Sequence, residues 1–169
     1  MKLFRFGQAR SLWMMHFCTG CGAVEMPPTM TSRFDMERFG IIPMATPRQA
    51  DLLLITGYLT VKTLKRVVRS YEQMADPKYV IGFGSCTIRG GMYWDSYNTV
   101  KELDLYIPVD IFINGCMPRP EAIIDAFLKL REMINKGEAN GRKKYRDNIK
   151  WYKKNQAEVF DIKKWSAKI

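Results

Sequence analysis

Apolar residues gather in three short, nearly unbroken runs: ADLLLITG at 50–57, KYVIGFGS at 78–85 and PVDIFING at 108–115. Runs of this length beside glycine and other turn residues predict strands buried on both faces, as in a parallel sheet. Between the first two, Leu64, Val67 or Val68, Tyr71 and Met74 recur at helical spacing until Asp76-Pro77 stops the helix. After the third, Pro118 and Pro120 mark a helix start, and Ile123, Phe127, Leu130 and Ile134 form its inner stripe before Gly137. Strands alternating with helices predict an α/β fold. The most economical form is a three-layer sandwich around a mainly parallel, flavodoxin-like sheet. In the N-terminal segment WMMHF, Trp13, Met14, Met15 and Phe17 are expected to pack against a neighbouring subunit or a membrane-facing side, with His16 packed and hydrogen-bonded among them.

The chain has 169 residues, enough for one domain with a real core and no need of disulfide staples. Its charge changes the picture only at the end. Of the net +10, residues 136–169 carry +7 and residues 1–135 carry +3. This predicts an α/β domain over 1–137 and a basic, aromatic C-terminal extension over 138–169. In the extension, Trp151, Tyr152, Val159, Phe160, Ile162 and Trp165 are interleaved with lysines, which suits a segment that lies on a partner or membrane surface with its charges outward. No stretch is long and apolar enough for a membrane span, and the N-terminus lacks a signal core, so a cytoplasmic location is expected.

The candidate chemistry lies in four cysteines: Cys18 and Cys21 in CTGC, Cys86 in GFGSCTIRGG and Cys116 in INGCMPRP. A reducing compartment argues against disulfides, and a single [4Fe–4S] cube takes four thiolates with none left over. Cys86 and Cys116 each follow a predicted strand, at the edge where open α/β sheets hold their ligands. Glycines around them let the backbone approach a bulky cluster. Three other readings remain open at this stage. A zinc site would want a second CxxC, a thioredoxin-like dithiol would leave Cys86 and Cys116 unexplained, and buried inert thiols fit glycine-rich loops poorly. A zinc-stabilised nucleic-acid module would use the basic tail, yet the βαβ body does not call for one.

The runs CGAVEM, ATPRQADLLLITG, GSCTIRGGMY, IPVDIFINGC and PRPEAI, in this order, resemble the 20 kDa or B-type subunit of complex I, NADH:quinone oxidoreductase. The resemblance covers roughly residues 13–134 and extends to the small subunits of membrane-bound [NiFe] hydrogenases. It implies an electron-transfer subunit with the last [4Fe–4S] cluster of an electron wire, and it carries Cys21, Cys86 and Cys116 over as ligands. Implied partners are a large subunit of the complex I 49 kDa or hydrogenase type, a ferredoxin-like iron–sulfur subunit and membrane-arm subunits, with no nucleic acid. The chain would be peripheral on the cytoplasmic side of the cell membrane. Glu25, placed near the cluster by motif position, is the candidate for redox-linked protonation.

Departures from the family pattern sharpen the expectation. Quinone-reducing members carry two adjacent cysteines where this chain has Cys21-Gly22, and Cys18 supplies a CxxC of the hydrogenase kind. Met44 stands where an arginine near the cluster is usual, which should lower the potential unless Arg89 compensates. Met117 replaces a common proline. This mixture predicts a complex I-related, membrane-bound, ion-pumping oxidoreductase, ferredoxin-dependent with sulfur or polysulfide as acceptor. A quinone-reducing subunit and a hydrogenase small subunit are the alternatives.

Overall fold

Five successive residues, Leu52–Thr56, are withdrawn from water, and so are Tyr79–Phe83. Only a strand with a strand on each side and helices over both faces buries every side chain in a row. The computed structural model, which describes residues 2–161, builds that arrangement. In chain order come α1 (Lys2–Arg10), β1 (Leu12–Cys18), α2 (Gly22–Met30), β2 (Ile41–Pro43), β3 (Leu52–Thr56), β4 (Leu59–Thr60) and α3 (Val61–Gln73). There follow β5 (Tyr79–Phe83), α4 (Ser85–Arg89), β6 (Thr99–Val100), β7 (Ile111–Ile113), α5 (Pro120–Lys136), α6 (Gly141–Asp147) and α7 (Ile149–Phe160).

The main sheet has the order β2-β1-β3-β5-β7, all pairs parallel, while β4 and β6 form a separate antiparallel ribbon. This is the flavodoxin-like order, and its switch point falls between β1 and β3. Side chains alternate across it. Leu52 and Leu54 join Ile81, Phe83 and the α5 stripe Ile123, Phe127, Leu130 and Ile134 on one face. Leu53 and Ile55 join Leu64, Val67, Val68 and Tyr71 of α3 on the other. Each such residue contributes about 1.5–3 kcal/mol by leaving water.

The three expected strands and two expected helices are present, with shorter strands than the apolar runs. The WMMHF segment differs from expectation. It lies within β1, a strand of the sheet, with Met14 wholly buried and with Met15 and Phe17 packed against the chain's own core. His16 is packed but not hydrogen-bonded at Nδ1, which is buried without a partner. The C-terminal helices also turn inward. Tyr145, Tyr152 and Val159 belong to the α3-side core, with Phe160 packed against it, and Trp151 stays exposed. Ile162 and Trp165 lie outside the described residues.

Caps explain where the helices stop. Thr60 accepts the Thr63 N–H at the start of α3, and Lys78 Nζ donates to the carbonyls of Tyr71 and Met74 at its end. Pro120 opens α5 and Gly137, in the left-handed region, closes it. Asp110 anchors α6: one carboxylate oxygen accepts the Val80 N–H at 3.0 Å and the other the Gly141 N–H at 2.9 Å. No helix among the described residues is long and apolar enough to cross a membrane.

Candidate metal centre

β1 ends in Cys18, and the loop after it carries Cys21 into α2. Cys86 lies in α4, just past β5, and Cys116 follows β7. All four therefore stand at the carboxyl edge of one sheet, beside its switch point. Cys21, Cys86 and Cys116 line one hollow of about 210 Å³, counting its open mouth. Gly22, Gly57, Gly84 and Gly115 line it with them, so much of its wall has no side chain. Cys18 is exposed and outside this lining, with a hydrogen bond to Thr56.

Backbone geometry holds the loops together. The Thr19 N–H and hydroxyl both reach the Thr56 carbonyl, and the buried Thr56 hydroxyl donates to the Phe17 carbonyl at 3.0 Å. These bonds clamp β1 to β3 where the cysteine loop leaves the sheet. Gly57 follows with φ +80°, and a Cβ there would meet the Thr19 carbonyl oxygen at 1.7 Å. Only glycine fits. On the far side, the Ser85 N–H and hydroxyl bond the Gly115 carbonyl at 2.9 and 3.1 Å, joining the Cys86 and Cys116 loops.

The thiols differ in setting. Cys86 is buried, which pushes its pKa up, and the nearby thiols of Cys21 and Cys116 add to the rise. Backbone N–H groups of Met92 and of Cys86 itself pull the other way. Burial also raises Cys18, offset by Thr56. Ligation requires thiolates, so filling this site must release protons.

Three thiols in the hollow with a fourth, Cys18, at the same sheet edge, amides facing the deepest sulfur and a glycine-lined wall fit the chemistry of an iron–sulfur cluster. No three His, Cys, Asp or Glu among the described residues converge on a single ion. A structural zinc ion needs four ligands meeting at one point, whereas a cube takes one thiolate at each of four corners.

Other expected residues are placed more loosely. Glu25 is the one acid in the first turn of α2, where it complements the helix dipole, and it does not line the hollow. Met44 lines a separate open hollow with Met15, His16, Pro43 and Ala45, and burial lowers the His16 pKa there. Arg89 is exposed in the last turn of α4. Sequence reasoning missed the apolar rim: Met92, Trp94, Val24 and Met117 are all exposed beside the cysteine loops. Tyr93 stacks on Tyr58 at 4.6 Å, and Tyr58 lies against Gly20 between Cys18 and Cys21. A signal existed in GGMYW, a run of large apolar residues with no helical or strand period to bury it.

Fold and site together define a class: a flavodoxin-like parallel-sheet domain with a thiol socket at its switch-point edge. Within that class the chain belongs to the NADH ubiquinone oxidoreductase 20 Kd subunit family, whose model matches residues 18–130. This is a family known to bind a [4Fe–4S] cluster. The chain is 45% identical over 159 residues to NAD(P)H-quinone oxidoreductase subunit K of Citrus sinensis chloroplasts, covering 94% of this chain and 67% of that protein. It is 46% identical over 151 residues to subunit K of Nostoc punctiforme, covering 89% and 62%, and 45% over 151 residues to the Chlorokybus atmophyticus chloroplast protein, covering 89% and 55%. The chain thus spans between about half and two thirds of the length of these curated relatives. Among solved structures it is similar to a chain of the membrane-bound sulfane sulfur reductase, an archaeal respiratory membrane complex. The TM-score is 0.90 and the identity 60%, over 93% of this chain and 89% of that one.

Proposed function

We propose that this chain holds one [4Fe–4S] cluster on Cys18, Cys21, Cys86 and Cys116 and acts as the terminal electron-transfer subunit of a complex I-related, membrane-bound oxidoreductase. The observation that carries this reading is the meeting of three cysteine loops at one sheet edge, with the fourth cysteine three residues from Cys21. When bound, the cluster supplies one-electron, outer-sphere redox chemistry. The chain's own residues do the rest. Gly22, Gly57 and Gly84 keep side chains out of the socket, and the Met92 amide faces Cys86. The apolar rim of Val24, Met92, Trp94 and Met117 excludes water where a partner docks.

Electrons enter from a ferredoxin-like iron–sulfur subunit and leave into a large subunit of the complex I 49 kDa or hydrogenase type, with membrane-arm subunits below. Sulfur or polysulfide is the acceptor this reading favours. Its support is the 60% identity to a sulfane sulfur reductase chain, beside 45–46% to the quinone-linked relatives. The CxxC pair in place of adjacent cysteines separates this chain from the usual quinone-reducing pattern. Glu25, behind Cys21 in the first turn of α2, is the carboxylate assigned to redox-linked proton uptake.

Anaerobically purified protein should be brown, absorb near about 400 nm and contain about four irons per chain. About one zinc per chain without colour would overturn the cluster. The acceptor is tested separately, by supplying the intact membrane complex with reduced ferredoxin and polysulfide, a quinone or protons. Turnover with quinone alone would overturn the sulfur assignment and leave the cluster intact.

A further inference from the structure

At the opposite end of the sheet, α1, the start of β5 and the turn between α5 and α6 enclose a hollow of about 740 Å³, counting its open mouth. Arg5, Arg142, Gln8, Asn140 and Tyr79 supply its polar groups, and no carboxylate lines it. Arg5 forms no ion pair among the described residues. Its guanidinium lies over Gly137, where a Cβ would meet Nη1 at 2.6 Å. Arg142 has an acid only in part: its Nε is 3.3 Å from Asp76 Oδ2, and the same oxygen takes Arg146 at 2.7 Å. Tyr79 lines the same hollow as the two cations. Burial pushes its hydroxyl pKa up, as do Asp110 and Asp51, while the charges of Arg142 and Arg5 pull it down, so both act on one group.

The helix beside this hollow is unusual for a surface. In α1, KLFRFGQAR, Leu3 is 84% exposed, Phe4 68% and Phe6 47%, and there is no acidic residue. Phe4 also lines the hollow, and the Arg10 guanidinium covers the Phe6 ring at 4.0 Å. Large exposed apolar side chains on a helix whose charged residues are all cations are the composition of a helix that lies in a membrane interface.

We propose that this hollow binds a phosphate group, presented by an anionic phospholipid whose acyl chains run along the exposed Leu3, Phe4 and Phe6. Two guanidinium forks and two amides match the several oxygens of a phosphate better than the two of a carboxylate. The apolar residues at its side distinguish a lipid from free phosphate. The site is independent of the metal centre. It lies at the amino end of β5, about 13 Å along the strand from the Cys86 end, so a membrane gripped here would hold the cysteine edge away from the lipid surface.

The test uses the full chain carrying its metal cluster and vesicles of phosphatidylglycerol mixed with phosphatidylcholine, against phosphatidylcholine alone. Inorganic phosphate is titrated in parallel. The doubly substituted Arg5→Lys, Arg142→Lys chain keeps every charge and loses the paired guanidinium geometry. The expected result is binding to the phosphatidylglycerol vesicles only, weakened about tenfold by the double substitution, with weak binding of free phosphate. Equal thermal unfolding of both chains establishes that the variant is folded. Phosphatidylglycerol binding that the double substitution leaves unchanged would overturn the proposal in favour of diffuse surface charge. Phosphate bound tightly without any vesicle affinity would overturn the lipid source. A chain that binds neither, but assembles poorly with its partner subunits when doubly substituted, would reassign the surface to a protein.

Discussion

At the carboxyl end of the sheet the meeting side chains are thiols among glycines, held by loops; at the amino end they are guanidinia and amides reaching in from helices. The first site is made by backbone. Its shape depends on carbonyls shared between loops, such as that of Gly115 with Ser85, and on positions where no side chain fits. The second is made by long side chains whose flexibility absorbs change. One consequence is that the ends should respond oppositely to the same small perturbation.

The largest effect expected is at Cys86. Cys86→Ser should take iron from about four per chain to below about one, with the helical circular dichroism retained, because α3 and α5 pack without it. Next is the comparison of two glycines. Gly57→Ala should cost about 4 kcal/mol in denaturant unfolding, since its Cβ meets the Thr19 carbonyl and its φ is positive. Gly7→Ala, in α1 with nothing within 4 Å of the new atom, should instead stabilise by about 0.5–1 kcal/mol. Equal effects at the two glycines would erase the contrast between a backbone-built and a side-chain-built end.

Asp110 tests how the amino end is anchored. Asp110→Ala leaves the Val80 and Gly141 N–H groups without their acceptor and should destabilise by about 2–3 kcal/mol. Its titration has a definite sign. Burial raises the Asp110 pKa above its usual 3.8, despite the two N–H bonds and Lys144. The protonated form is therefore favoured in the folded chain. The contribution of this proton to stability is complete below pH 3.8 and is lost as the pH rises through the raised value. In unfolding measured against pH, the wild type should lose stability relative to Asp110→Asn over that rise; a flat difference would remove burial as the cause. The smallest effect is at Glu72, whose exposed ion pair with Lys153 joins α3 to α7. Glu72→Gln should cost no more than about 0.5 kcal/mol, and less at high salt.

The central strands were legible because β3 and β5 are buried on both faces and read as unbroken apolar runs. β1 was not. It carries Trp13, His16 and Cys18, all partly or largely exposed, so its pattern is neither continuous nor a clean alternation. β2 is three residues long and has no periodicity to detect. In α7 the buried Tyr152 and Val159 are separated by lysines and asparagine, and composition hid a packed helix inside a basic tail. The meeting of the cysteine loops at one edge could be anticipated, because strand ends fix where loop residues emerge. The amino-end hollow could not, since Arg5 and Arg142 come from opposite ends of the chain and share no motif.

One detail of the socket bears on how such a protein is made. Cys86 lies at depth while Cys18, Cys21 and Cys116 remain open to solvent, and the apolar side chains of Met92 and Trp94 are exposed as well. A cavity that opens outward can be filled only before something closes over it. On the proposed ligand set, iron and sulfide would be delivered to the free chain. A subunit that docks on an unfilled chain would trap it empty, which makes the order of maturation a matter of access.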